Sequence, residues 1–280
     1  MNEYFDGFSF VDRIASIEEG VRIRGSYHIP STIDSFPPML VAEAIGQLAA
    51  WAAMNVVNFE RRPVGGIVGS IDFLAPVRPG RTLELSAELQ SVDAEAVVYD
   101  GTAHVDGIPV IRIQHCLGPM VPAGDFDDPN MLRNRFAILS GAGVAPGAFG
   151  GLPPLSFERI DGETGQRARA AFRVPASAAF FAAHFPRRPV FPGTLLLHIN
   201  LELGALFAAE IPTPQNGFEW TVRTALDVKL REFIPPGETV ELQVHLKKRL
   251  TDSAILAAEN RVAKRVVGSG QLRLVPEARS

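Results

Sequence analysis

The sequence has little cysteine, no excess of charge of one sign and no long uninterrupted apolar run. Cys116 is the only cysteine, so no internal disulfide can form. No group of cysteine and histidine residues has the spacing of zinc ligands, and we expect no metal site. Lysine and arginine total 27 against 31 aspartate and glutamate residues, which argues against a nucleic-acid groove or a polybasic membrane patch.

Two further absences concern export and membranes. The N-terminus shows no basic segment followed by an apolar one, so no signal peptide is indicated. The two longest apolar stretches are unconvincing membrane spans because polar residues interrupt them, namely Glu43, Gln47, His198 and Glu202. We therefore expect a cytoplasmic protein without membrane insertion. With 280 residues, 46% of them hydrophobic, the chain can form one large core or two smaller ones.

The first half predicts a strand region, an apolar helix and then several strands. Short β-like runs occupy residues 8–30, and a segment rich in helix formers follows at 37–54. A helix that is apolar on nearly every face is usually buried. The strands predicted after it, separated by turn residues, lie at 66–73, 82–90, 96–104 and 109–117.

The second half repeats this order. A strand is predicted at 167–174 and an apolar helix at 192–210. The strands predicted after that helix lie at 220–230, 238–247, 254–262 and 268–275. Three landmarks recur at nearly one offset: Gly237 − Gly80 = 157, Gly193 − Pro38 = 155 and His184 − His28 = 156. This agreement indicates a duplication.

The stretch between the copies is rich in glycine and proline. It contains one predicted helix at 128–139, with Asp127 or Asp128 as its N-cap. Each copy predicts an α+β domain in which an antiparallel sheet wraps around a central helix, and two such copies can pair into a covalent pseudo-dimer. The predicted divisions are an N-terminal domain at 1–117, a crossover linker at 118–154 and a C-terminal domain at 155–280.

The candidate for chemistry is the stretch from Ala182 to His198. His184 lies in a proline-rich loop, and Pro192 and Gly193 open an apolar helix shortly after it. A helix start offers unpaired N–H groups at the positive end of the helix dipole. A histidine beside such donors suits chemistry on a carbonyl, with the ring moving a proton and the helix end stabilising an oxyanion. The alternative is a surface histidine in a turn, and this stretch alone favours neither.

The segment His184-Phe-Pro-Arg-Arg-Pro-Val-Phe-Pro-Gly193 resembles the motif His-Phe-Pro-Gly-His-Pro-x-x-Pro-Gly of the β-hydroxyacyl-ACP dehydratases, which have the hot-dog fold. In that family an acidic residue follows the histidine by fourteen positions, often with glutamine four positions later. The turn at 73–80 is similar to one found in hot-dog proteins generally, thioesterases included. The resemblance covers residues 15–117 and 155–275 and implies a double hot-dog.

Each copy keeps only part of this family pattern. In the second copy, 198 − 184 = 14 places His198 where the acid belongs. In the first copy Glu43 stands at the acid position and Gln47 follows it, but the loop at His28 has lost the motif. The family combines a histidine and a carboxylate from two protomers in one site. The resemblance therefore implies one composite site of His184 and Glu43, and an opposite His28/His198 pair without a carboxylate.

The activity that the resemblance implies is reversible dehydration of a (3R)-3-hydroxyacyl thioester of ACP or CoA, without a cofactor. His184 takes a proton from the α-carbon, Glu43 protonates the leaving hydroxyl, and the Gly193 N–H binds the thioester oxygen. The other residues expected around the substrate are Gln47, Phe185 and Val190. The pseudo-dimers could also assemble further into homo-oligomers.

Glu43 and Gln47 are the strongly polar residues of an otherwise apolar helix, four positions apart. A carboxyl group there is costly unless it is paired or used, and burial would raise its pKa. A structural hydrogen-bond anchor is the alternative to catalysis. For His198 we expect no catalytic role. We expect it either to contact Glu202 one turn later or to fill the pocket of a second site that has lost its activity.

Arg187 and Arg188 replace the Gly-His pair of the family motif. They could attract an acidic carrier protein or a CoA phosphate, or form a solvated loop pair, and the sequence favours neither. Two competing functions stay open. One is an acyl-thioester hydrolase of the same fold, in which Glu43 and Gln47 activate water; the other is a non-catalytic acyl-binding module.

Overall fold

The computed structural model describes residues 7–214 and 216–279 of the chain. The first six residues, where we looked for a signal peptide, lie outside that part. The first half opens with a β-hairpin and a helix, β1 (Arg13–Glu18), β2 (Arg22–His28) and α1 (Pro38–Val56). The strands after the helix are β3 (Arg61–Pro63), β4 (Ile67–Phe73), β5 (Thr82–Val92), β6 (Ala96–Val105) and β7 (Ile108–Pro122). Each strand predicted for this half is present.

The connecting stretch holds a short 3-10 helix (Ala123–Asp125) and helix α2 (Pro129–Ser140). Of the two predicted caps of α2, Asp128 takes the role, because its carboxylate accepts hydrogen bonds from the first backbone N–H groups of the helix. The expected domain limits at residues 117 and 155 stay a prediction, and β7 continues past the first of them.

The second half repeats the hairpin, the helix and the strands. Its elements are β8 (Phe157–Glu163), β9 (Arg167–Arg173), α3 (Ala179–His184), α4 (Gly193–Ala208), β10 (Phe218–Leu230), β11 (Thr239–Arg249), β12 (Ala254–Val262) and β13 (Arg265–Ala278). Helix α3 was not predicted. The expectation that His184 lies in a loop was wrong, because the short run before it is helical and is held by the buried rings of Phe180 and Phe181.

The strands form one antiparallel sheet in the order β1-β2-β5-β6-β7-β4-β10-β13-β12-β11-β9-β8, with β3 paired to β7 beside it. The second half of this order repeats the first in reverse, because β10, β13, β12, β11, β9 and β8 correspond to β4, β7, β6, β5, β2 and β1. This symmetry confirms the duplicated α+β architecture. The two expected sheets are joined edge to edge, with Ile71 of β4 opposite Ala225 of β10. That pairing covers an edge strand of each half.

The two apolar helices lie inside the curved sheet and contact each other. Helix α1 is long and apolar enough to cross a membrane by length and composition, and 61% of that span is buried inside the protein. Strand β6 can approach α1 closely because residue 101 is glycine, where a Cβ atom would lie 2.2 Å from Ile45 Cγ2. The contact between α1 and α4 brings the middle of one helix beside the start of the other.

Candidate active site

A cavity of about 380 Å³ is lined by residues of both halves of the chain. It contains the six residues that the sequence placed around the substrate: His184, Glu43, Gly193, Gln47, Phe185 and Val190. The cavity lies where the start of α4 meets the middle of α1. The structure therefore brings the predicted histidine and the predicted carboxyl group to the wall of one cavity.

The Glu43 carboxyl group is held by two donors, one from each half of the chain. Gln47 Nε2 donates to one carboxyl oxygen at 2.9 Å, and Thr194 Oγ1 of α4 donates to the other at 2.7 Å. Burial raises the pKa of Glu43, while these two hydrogen bonds and the positive charge of Arg62 act against that rise. The hydrogen bond from Thr194 therefore holds the Glu43 carboxyl group beside the start of α4.

Gln47 also anchors the N-terminal segment to α1. Its amide accepts a hydrogen bond from the Phe10 backbone N–H at 2.8 Å and donates one to the Phe8 carbonyl at 2.9 Å. This segment places the Phe8 ring edge-on to the His184 ring, with centroids 5.6 Å apart. Since the Gln47 amide is hydrogen-bonded to Phe8, Phe10 and Glu43, it holds the N-terminal segment and the Glu43 carboxyl group in place at the cavity wall.

The His184 ring is enclosed by aromatic side chains and faces the cavity. The Phe185 ring lies 4.0 Å from it, centroid to centroid. Burial, and after it the positive charge of Arg62, lowers the pKa of His184 to about 3, against a weaker opposing effect of the Val190 backbone. Its Nδ1 makes no hydrogen bond of ordinary geometry within residues 7–214 and 216–279. The ring is therefore neutral near pH 7 and able to accept a proton.

Helix α4 begins at Gly193 with Pro192 as its N-cap. The first backbone N–H groups of a helix have no intrahelical acceptor, and here they adjoin the cavity. A Cβ atom at position 193 would lie 2.2 Å from Leu230 Cδ1, so a larger residue there would force the Leu230 side chain to move. The arrangement offers a donor to an oxygen that develops negative charge.

Among the cavity residues that the sequence did not single out, Thr194 and Arg62 act on the predicted pair. Thr194 directly follows Gly193, and its position after the Pro-Gly step was the available signal. Arg62 lies in β3, and its guanidinium carbon is 4.3 Å from the centroid of the Phe185 ring. No local pattern marks Arg62, because β3 is placed by its pairing with β7 near Val121.

The candidate docking residues Arg187 and Arg188 do not line this cavity. Arg187 donates to the Gly124 carbonyl and to the Asp128 carboxylate, both at 2.9 Å, and so ties its loop to the start of α2. The Arg188 guanidinium lies over the rings of Phe126 and Phe233 at 5.3 and 4.8 Å. Both side chains stay exposed at the surface.

His28 and His198 do not contribute to the cavity. His198 Nε2 lies 3.5 Å from a Glu202 carboxylate oxygen, as the sequence predicted. Burial lowers the pKa of His198, and Glu202 acts against the decrease. The His28 ring makes a 3.1 Å hydrogen bond with Thr82. For the part of the chain that the structure describes, no group of three or more histidine, cysteine or acidic residues could hold a metal ion.

Both halves match models of protein families. Residues 161–270 match the ApeI-like family of ApeI dehydratases, and residues 44–111 match the thioesterase superfamily. The chain is 34% identical over 98 residues to the 3-hydroxyacyl-(acyl-carrier-protein) dehydratase FabZ of Roseiflexus sp., which covers 34% of this chain and 67% of that protein. It is 32% identical over 122 residues to the same enzyme of Thermomicrobium roseum, covering 39% of this chain and 80% of that protein.

Structural similarity extends over nearly the whole chain. An acyl-CoA thioesterase II from Mycobacterium marinum superposes with a TM-score of 0.55 at 11% identity, covering 96% of both chains. At this identity the likeness concerns the fold alone, and the fold is the double hot-dog. The two dehydratases are more similar in sequence, with 34% and 32% identity against 11% for the thioesterase, and the matches cover 67% and 80% of their length. The chain therefore belongs to the family of FabZ-like 3-hydroxyacyl-acyl-carrier-protein dehydratases.

Proposed function

We propose that this protein dehydrates (3R)-3-hydroxyacyl thioesters reversibly in one composite site, with His184 from the second half and Glu43 from the first. The observation that carries the proposal is the shared cavity of these two side chains. A second support is the hydrogen bond from Thr194, next to the oxyanion donor Gly193, to the Glu43 carboxyl group. The opposite pair, His28 and His198, has no catalytic part in this proposal.

The reaction needs a neutral base and a protonated acid. Neutral His184 accepts the proton from the α-carbon, and the Gly193 N–H stabilises the negative charge that builds up on the thioester oxygen. Glu43 gives its proton to the β-hydroxyl, the C–O bond breaks and water leaves as the double bond forms. The proton on His184 then returns to Glu43 through water. The lowered pKa of His184 and the raised pKa of Glu43 favour these starting states.

The test is the hydration of crotonyl thioesters, measured as the loss of enoyl absorbance. His184→Ala and Glu43→Gln should each lower kcat/KM about 10²- to 10⁴-fold, since each removes a proton-transfer group. His198→Ala and Glu202→Gln are matched controls on α4 outside the cavity, and they should retain activity. Near wild-type hydration by either site variant, with its fold checked by circular dichroism, would contradict the composite site.

The second candidate is hydrolysis of the thioester. It is favoured by the match of residues 44–111 to the thioesterase superfamily, a segment that contains Gln47 and directly follows Glu43. The commitment of the Gln47 amide to Phe8 and Phe10 counts against its activating water. A thiol reagent in the same assay separates the two, because hydrolysis releases a free thiol. Binding without either reaction would indicate an acyl-binding module.

The carrier belongs to this proposal as well. The substrate is a thioester of ACP or CoA, and exposed Arg188 is offered as a docking residue for an acidic carrier. Arg187 is engaged with Asp128, so its role in docking requires that this ion pair open. Arg188→Glu should raise KM for acyl-ACP and leave KM for a short pantetheine thioester unchanged, and an unchanged KM for acyl-ACP would remove the docking role.

A further inference from the structure

We propose that Arg62 is a ligand-binding residue whose guanidinium takes a carbonyl or carboxylate oxygen of the thioester ligand inside the cavity. The inference rests on the proposed function for the location of the ligand. It goes beyond that function, because it assigns a fourth polar contact, in addition to those of His184, Glu43 and the Gly193 N–H, that the reaction itself does not require.

The Arg62 side chain is largely buried, and two of its guanidinium nitrogens have no hydrogen-bond acceptor. Its side chain is 13% exposed and lines the cavity. Among the described residues, its Nε and Nη1 are buried and have no hydrogen-bond partner. A buried donor without an acceptor costs about 1–3 kcal/mol, and more when the group is charged. Both atoms are closed to solvent, so a ligand oxygen reaches them only when the guanidinium turns toward the cavity that its side chain lines.

Asp127 does not fill this need. Its Oδ2 lies 3.8 Å from Arg62 Nη1, beyond hydrogen-bond distance. The same oxygen accepts a 3.0 Å hydrogen bond from Arg135 Nη1, and Oδ1 accepts one from the Asp128 backbone N–H at 2.8 Å. Because the carboxylate is engaged with these donors, the charge of Arg62 is only partly compensated within the protein.

The position of Arg62 puts it beside the proposed reaction centre. Its guanidinium lies on the Phe185 ring, and that ring contacts the His184 ring. The charge of Arg62 also acts on both site residues, since it lowers the pKa of His184 and opposes the rise of the pKa of Glu43. A ligand that reaches these two residues occupies the cavity that Arg62 also lines.

The chemistry of the guanidinium defines the ligand group. Arginine donates hydrogen bonds and accepts none, so a single donor can bind a carbonyl oxygen and its planar fork can bind both oxygens of a carboxylate. A hydrocarbon chain offers no such atom. In a thioester ligand the oxygen comes from one of two places, an amide carbonyl of the pantetheine arm or an oxygen substituent on the acyl chain. The ligand contact is the same for both.

The experiment measures binding by calorimetry and does not depend on turnover. Three amide analogues, which neither hydrolyse nor dehydrate, distinguish the sources: butyryl on the pantetheine arm, butyryl on the short N-acetylcysteamine arm, and succinyl on that short arm. Arg62→Met should weaken binding about 10- to 100-fold for the ligand that carries the oxygen, as expected for a charged hydrogen bond. A loss confined to the pantetheine analogue assigns the outer amide of the arm, and one confined to the succinyl analogue assigns the acyl chain. An equal loss for all three assigns the inner amide, which the short arm shares.

Arg61→Met is the matched control, because Arg61 shares strand β3, does not line the cavity and donates to the Met120 carbonyl. It should leave all three affinities unchanged, whereas Arg62→Lys should restore part of the affinity. If Arg62→Met does not fold by circular dichroism, Arg62→Gln takes its place. Equal affinities of wild type and Arg62 variants for all three ligands, or no binding by wild type, overturn the inference. Arg62-dependent binding without enoyl hydration would instead overturn the proposed function alone.

Discussion

The hydrogen bond between the two halves at the site can be removed with one nearly isosteric change, Thr194→Val. Thr194 Oγ1 donates to the Glu43 carboxyl group at 2.7 Å, and valine replaces the hydroxyl by a methyl group. A donor to a carboxylate stabilises its ionised form, and this bond lowers the pKa of Glu43. Its loss should therefore raise that pKa further.

The expected size follows from the energy of one such bond. A hydrogen bond to a charged group contributes about 1.5–3 kcal/mol, and one to a neutral group about 0.5–1.5 kcal/mol. The difference between the two protonation states is then about 1.2 kcal/mol, which corresponds to nearly one pKa unit. The free energy of unfolding should fall by about 1 kcal/mol, which lowers Tm by about 2–4 °C for a chain of this size.

The assay is the pH dependence of kcat/KM for dehydration of a (3R)-3-hydroxyacyl thioester, the direction in which Glu43 acts as the acid. In the proposed mechanism activity is lost on the basic side as the acid, Glu43, ionises, so the basic limb should move to higher pH by about one unit. The acidic limb, set by His184, should stay in place. Thr194→Ser keeps the hydroxyl and should keep the basic limb of wild type. A basic limb that stays fixed or moves to lower pH in Thr194→Val would refute the assignment of Glu43 as the acid.

Three further changes have expected outcomes. Arg62→Met should move both limbs of the same pH profile to higher pH, because the lost positive charge lowered the pKa of base and acid alike; a shift of one limb alone would contradict this. Gly193→Ala should lower both activity and Tm, since the new Cβ would lie 2.2 Å from Leu230, and overpacking costs about 1–3 kcal/mol. Burial raises the pKa of Asp12 from 3.8 to about 6, so in that window the native state holds a proton that the unfolded state has lost. Stability measured by urea unfolding should thus fall as pH rises through the window, and Asp12→Asn should flatten that slope; an unchanged slope would assign it to other groups.

The sequence predicted more of the fold than of the site's surroundings. The alternation of apolar residues in the strands and the apolar helices are local patterns, and they recur at one offset, so both copies could be placed without coordinates. Glu43 stood out because a carboxyl group interrupts a helix that is otherwise apolar. His184 stood out through its motif, although the short helix α3 that ends at His184 was missed because six residues are too few to show a helical period.

By itself, the sequence determined the duplicated architecture, because periodicity and landmarks at one offset encode it. It also singled out His184 and Glu43 as candidate residues, through a family motif and through a carboxyl group in an apolar helix. Only the tertiary structure decided that β4 and β10 join the sheets, that Thr194 donates to Glu43 and that Arg62 enters the cavity. The partners in these contacts lie about 150 residues apart, or depend on the pairing of β3 with β7, and no local pattern encodes such a distance.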